Sequence, residues 1–150
     1  MTPPLPDREA DSPRPASRPG SLRTLLDYEC RLAIIVEEIA ARPERLDDNA
    51  VEVHEGIVLK AYELVRRDFD SAYGAQWDSR ARRKFYSTYT TAASMWPAYH
   101  QALKELESAR GRRSLVPSMR RLATPRRSYI TALSKFHEEL RVTLNFFRAR

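Results

Sequence analysis

Cysteine occurs once in the 150-residue chain, at Cys30. A single thiol excludes an intrachain disulfide and any zinc site built on cysteines. It also suits a reducing, cytoplasmic setting. Glycine is nearly as scarce, at 4 residues, and no Gly-rich phosphate loop or nucleophile elbow can be drawn from them. No apolar run approaches a membrane span: the longest, Leu32 to Val36, is followed at once by Glu37 and Glu38. No membrane partner is expected. Residues 1–20 lack the apolar stretch of a secretory signal and carry Pro3, Pro4, Pro6, Pro13, Pro15 and Pro19 instead. Such a segment cannot bury enough surface to fold, so a disordered Pro-rich tail is predicted there. Residues 21–150 are long enough to bury one core.

Strand-like alternation is absent, and no internal repeat appears. Helical spacing is present throughout. Ser21 is the expected N-cap of a first helix over 22–41, whose stripe is Leu25, Tyr28, Leu32, Ile35, Val36 and Ile39. Arg42-Pro43 ends it, because a residue before proline is pushed out of the α region. Asp47, Asp48 and Asn49 offer caps for a second helix reaching about Ala72. Asp78 or Ser79 opens a third, with Phe85, Tyr89, Ala92, Trp96, Tyr99, Leu103 and Leu106 forming a heptad-like seam. Pro97 predicts a kink or break beside Trp96. Residues 114–123 read as a short linking helix, and Thr124-Pro125 as the start of the last helix, which runs to about Phe147. The expected fold is all-α: a compact bundle of four main helices plus a short linking helix, behind the tail.

Catalytic and metal-binding patterns do not emerge. Three residues before His54, His100 and His137 stand Val51, Pro97 and Ser134, where a di-iron bundle would need glutamates. Ordinary surface or boundary histidines are the expectation. Cys30 has no base marked beside it and reads as a small core residue. No cofactor is implied, and no enzymatic activity is expected. The aromatic seam could in principle stack on unpaired bases, with Tyr86 the best placed because it lies off the main stripe. Aromatics at helical spacing are more often core.

Charge is the informative feature. Residues 25–79 hold 6 Arg or Lys against 13 Asp or Glu, whereas residues 80–127 hold 12 against only Glu105 and Glu107. Of the 26 cations in the chain only Lys60, Lys84, Lys104 and Lys135 are lysine, and arginine is the better fork for phosphate. Codon bias accounts for part of that ratio but not for the missing acids. The clusters are Arg80, Arg82, Arg83 and Lys84; Arg110, Arg112 and Arg113; and Arg120, Arg121, Arg126 and Arg127. Cations near a helix C-terminus complement the macrodipole, as Arg110 and its neighbours would. Cations at the starts of the third and last helices oppose it, which points to an external anion such as phosphate. An acidic protein, or the acidic helices of the chain itself, would also satisfy them.

The stretch Asp78-Ser79-Arg80-Ala81-Arg82-Arg83-Lys84-Phe85-Tyr86 resembles the polar cap, basic step and Phe-Tyr of the small helical subunits of CRISPR effector complexes, types III-A and IV especially. Ser134-Lys135-Phe136-His137-Glu138-Glu139-Leu140, running on to Asn145-Phe146-Phe147, is similar to that family's final helix, and 103–113 matches its long basic helix end. The proline-rich tail and acidic first helices depart from the pattern, as does the lack of a terminal Ala-Tyr-His. The resemblance implies copies aligned along a guide RNA–target duplex inside a ribonucleoprotein. Contacts to the backbone would then be independent of sequence, because base pairing does the reading. Two functions are thus expected in competition. One is a non-catalytic subunit binding the backbone of RNA or DNA, beside other subunits or copies of itself. The other is a helical adaptor for proteins, using the third-helix seam or the acidic first helices.

Overall fold

The computed structural model describes residues 19–113 and 115–149. The tail expected over 1–20 lies outside these, except for Pro19 and Gly20, which belong to the first helix. That helix, α1, spans Pro19–Ala41 and buries Leu25, Leu32 and Ile39 at seven-residue steps. Ser21, the N-cap expected from sequence, is not its cap. It lies inside the helix and its hydroxyl donates to Asp68 at 2.5 Å. Arg42 leaves helical geometry before Pro43, and a 3₁₀ turn, Pro43–Arg45, follows.

The second helix, α2, begins at Asp48, capped by Asp47, whose carboxylate accepts from the Ala50 N–H at 2.8 Å. It runs to Leu64, widens into a π-helical stretch, Val65–Asp70, and closes with Ser71–Tyr73. Val65 and Phe69 within the π-helical stretch are both buried. A Cβ on Gly74 would collide with the carbonyl and carboxylate oxygens of Asp70, so glycine is required there by space.

Helices α3 (Ser79–Ala109) and α4 (Leu115–Arg148) are the longest and pack most extensively on each other. Asp78 caps α3 through the Ala81 N–H at 3.0 Å. Pro97 neither breaks nor ends it. The proline faces solvent, while Ala92 and Tyr99 on either side are buried. Packing therefore holds the helix through the lost hydrogen bond. The same holds for α4. The separate linking helix and the start at Thr124-Pro125 are replaced by one continuous helix with Pro125 inside it. Ser118 and Leu122, both buried, anchor its first turns. Gly111, with φ of 76°, makes the turn between α3 and α4 in the left-handed region that favours glycine.

Short connections place each helix beside the next, and α4 closes the bundle on α1. No strand occurs among the described residues. The core is aromatic as much as aliphatic: Phe69, Phe85, Tyr99, Tyr129 and Phe136 are almost fully buried. Tyr99 stacks on Tyr129 with centroids 5.0 Å apart, and its hydroxyl donates to the Leu46 carbonyl at 3.2 Å. That contact marks where the α1–α2 connection meets α3. From Tyr99 to Ala109, α3 rises about a further 15 Å to a tip it shares with the start of α4, and the α1–α2 connection runs alongside, where Glu44, Asp47 and Asp48 line a groove with Lys104, Glu107 and Arg110.

Candidate nucleic-acid interface

The first basic cluster sits at the start of α3, against the π-helical end of α2. Arg82 places Nε at 3.0 Å and Nη2 at 2.9 Å from Oδ2 of Asp70. The Tyr86 hydroxyl donates to the same oxygen at 2.5 Å, and the Arg82 guanidinium lies 5.7 Å from the Tyr86 ring centre. Burial raises the Tyr86 phenol pKa well above its ordinary value, and the Asp70 hydrogen bond and charge add to it. Lys84 pairs with Glu139 of α4 at 3.2 Å, and that carboxylate is almost buried. Arg80 and Arg83 are exposed and make no ion pair among the described residues.

The second cluster occupies the tip. Arg110 pairs with Glu107 at 3.3 Å and Arg121 with Glu105 at 3.6 Å, all four side chains being well exposed. Arg121 also donates to the Ser118 hydroxyl at 3.0 Å. Arg112, Arg113 and Arg120 are exposed without an ion pair among the described residues. Arg126 and Arg127 do not lie at a helix start, because α4 begins at Leu115. The expectation that they oppose a macrodipole is therefore corrected. Arg127 is exposed; Arg126 is half-buried, near enough to Tyr99 to favour its ionised form. Burial still pushes the Tyr99 phenol up to about 12.

The two clusters stand about 40 Å apart along α3, at 1.5 Å per residue. Between them the exposed residues Ser87, Thr90, Thr91, Ser94 and Gln101 carry hydroxyls or amides and no charge. A link that the sequence reading missed runs along α4. Arg120, Arg127, Arg141 and Arg148 lie on a seven-residue register that skips Ser134, all exposed and none in an ion pair among the described residues. Seven residues fall about 20° short of two turns, so these side chains form a slowly winding row. The spacing was visible in the sequence, but Ser134 and Glu138 interrupt it. Lys104, exposed at the tip, was missed as well.

The aromatic seam does not present a stacking platform. Tyr86 is half-buried, edge-on to Tyr62 at 5.7 Å, and Tyr89 stacks on Tyr62 at 3.8 Å. Cys30 and His54 also differ from expectation. Cys30 is exposed, on the outer side of α1. His54 is a core residue whose pKa is lowered by burial, with the charge of Asp47 opposing. Its Nδ1 has no hydrogen-bond partner among the described residues.

His100 and His137 do lie at boundaries, where each ties two helices. His100 bonds Asp48 through Nδ1 and Glu55 through Nε2, the latter at 2.6 Å. His137 bonds Glu29 at 2.7 Å. Among the described residues, the hydrogen bonds of both rings go to carboxylates, and no side-chain group suited to a metal ion occurs. Among the described residues, no helix is long and apolar enough to cross a membrane. Comparison with known protein families, curated proteins and solved structures found no match to this chain.

Proposed function

We propose that this chain is a non-catalytic, sequence-independent nucleic-acid-binding subunit. It would work within a ribonucleoprotein, in the manner of the small CRISPR subunits its sequence resembles. The observation that carries the reading is a set of six exposed arginines, Arg80, Arg83, Arg112, Arg113, Arg120 and Arg127, none in an ion pair among the described residues. A protein surface with its own acids in short supply leaves such forks for an outside anion. Their spread over about 40 Å suits a polymer better than a small ligand, since a duplex offers one charge per about 1.7 Å of axis. Guanidinium contacts to phosphates position a nucleic acid without reading it.

The test is fluorescence anisotropy with the full chain on two unrelated labelled oligonucleotides of equal length, as single-stranded RNA and as duplex, at several salt concentrations. Affinity should fall linearly with log salt and be equal for both sequences. Absence of binding at low salt, with capture of a partner protein through the acidic α1–α2 face, would replace this reading with the adaptor.

A further inference from the structure

Between α3 and α4 at the tip lies a groove of about 280 Å³, lined on the α3 side by Lys104, Glu105 and Ser108, with Arg112 from the turn. Ser118 and Arg121 close it from α4. Three cations thus converge from three segments of chain against one carboxylate. The hydroxyl of Ser118, a residue only 3% exposed, accepts from Arg121 and so orients the guanidinium. Glu105 reaches Arg121 through a single contact of 3.6 Å and accepts from Gln101 at 3.4 Å, both long for the bonds they represent. A carboxylate this exposed and this loosely held is readily displaced by a better acceptor.

We propose that this groove seats one phosphate group, held by Lys104, Arg112 and Arg121, and that Glu105 is a resident competitor which the phosphate displaces. Several features favour phosphate over a carboxylate or a neutral ligand. The donors come from several directions, which suits a tetrahedral anion with oxygens on every side. Guanidinium forks match phosphate oxygens in pairs, and the lysine adds a point charge. The groove is open to solvent along the tip, so the group can belong to a longer chain. The source of the phosphate, a nucleic-acid backbone, rests on the function proposed above; the groove's preference for phosphate does not.

The competitor role makes an unusual demand: removing a charge from Glu105 must strengthen binding. Inorganic phosphate is titrated into isotopically labelled full-length protein at constant ionic strength, and amide shifts are followed by NMR. Shift changes should concentrate between Lys104 and Arg121. Glu105→Gln should tighten the apparent Kd by about two- to fivefold, the range expected for an exposed charge pair. Lys104→Ala with Arg112→Ala should abolish the local shifts, and Lys135→Ala, an exposed cation elsewhere on α4, should leave them alone. Thermal melts of each variant confirm that the fold survives.

Shifts spread evenly over the molecule, or an unchanged Kd in Glu105→Gln, would overturn the site. The same proteins are then titrated with single-stranded RNA. Salt-dependent RNA binding that ignores both tip variants also overturns the groove while leaving the nucleic-acid reading intact. Local phosphate binding without any RNA binding keeps the groove and removes its polymeric source.

Discussion

The two arginine clusters that flank α3 look alike as sequence, yet the fold surrounds them differently. At the near end, α2 and α4 deliver Asp70 and Glu139, and these take up Arg82 and Lys84. Asp70 is itself held in place by the π-helical turn and by a glycine with no room for a Cβ. At the tip, the only carboxylates paired with arginine among the described residues are Glu105 and Glu107, which belong to α3 itself and are exposed. The near cluster is half structural glue, and the tip is mostly available charge. What distinguishes them is which neighbours the topology supplies, and an arginine cluster read alone does not state that.

The largest expected contrast is in the packing behind each cluster. Phe136 is fully buried, with its ring 5.6 Å from that of Phe85 just beyond the near cluster. Phe136→Ala should cost about 3–5 kcal/mol in urea denaturation, as large-to-small core substitutions do. Val116 at the tip is 55% exposed. Val116→Ala should stay within about 0.5 kcal/mol of the parent. Comparable losses at both sites would mean that the tip is packed against something and is not free.

A smaller effect isolates the Asp70 knot. Tyr86→Phe removes the hydroxyl that donates to Asp70 but keeps the ring packed on Tyr62 and Phe85. Losing a part-buried hydrogen bond to a charged acceptor should cost about 1–2 kcal/mol. Glu105→Gln, which breaks the corresponding contact at the tip, should leave stability nearly unchanged, because exposed pairs are weak. Equal losses would erase the distinction between the two ends.

Much of this architecture was legible beforehand. Seven-residue recurrence of apolar side chains predicts the helices, and Asp47 and Asp78 announce their caps because a carboxylate there meets free N–H groups. The failures share one cause, which is tertiary packing overriding a local signal. Thr124-Pro125 is a sound helix start in isolation, but buried Leu122 and Ser118 carry α4 straight through it. Ser21 is a good cap by type, yet Asp68, far along the chain, claims its hydroxyl. For the candidate interface, the sequence names the arginines but not their partners, since Asp70 and Glu139 reach them only through the fold. The tip groove needs α3 and α4 side by side, and no local pattern encodes that.

The histidines extend the comparison to pH. Burial acts to lower the His100 pKa, but the hydrogen bonds and charges of Asp48 and Glu55 outweigh it and raise the value above 6.5. The stability that His100 contributes is therefore complete below pH 6.5 and is lost as pH rises through the raised folded value. His54 has the opposite sign. With its pKa lowered by burial, its contribution is complete above 6.5 and is lost as pH falls through the lowered value. Urea midpoints followed across this range should lose the alkaline-side decline in His100→Gln. A decline that persists in that variant would assign it to another group.

The smallest change expected in stability is also the most discriminating, because it compares neighbours in sequence. Arg82 is held by Asp70, and Arg83 is exposed and in no ion pair among the described residues. Binding to a phosphate backbone weakens with salt at roughly −0.9 per phosphate neutralised for duplex DNA and about −0.7 for single strands. Arg83→Ala should flatten the slope of log K against log salt by up to about one unit, with folding intact. The loss should be the same on two unrelated sequences, since a backbone contact does not read bases. Arg82→Ala should do the reverse: lower the urea midpoint, by freeing the Asp70 carboxylate, and leave the slope nearly unchanged. An arginine present only through codon bias would alter neither quantity, and a base-reading arginine would weaken one sequence far more than the other. Melts and salt-dependent titrations of these two single variants separate all four cases. If Arg82 and Arg83 behave identically, the Asp70 contact does not govern what an arginine at the near end is free to bind, and the contrast between near end and tip loses its basis.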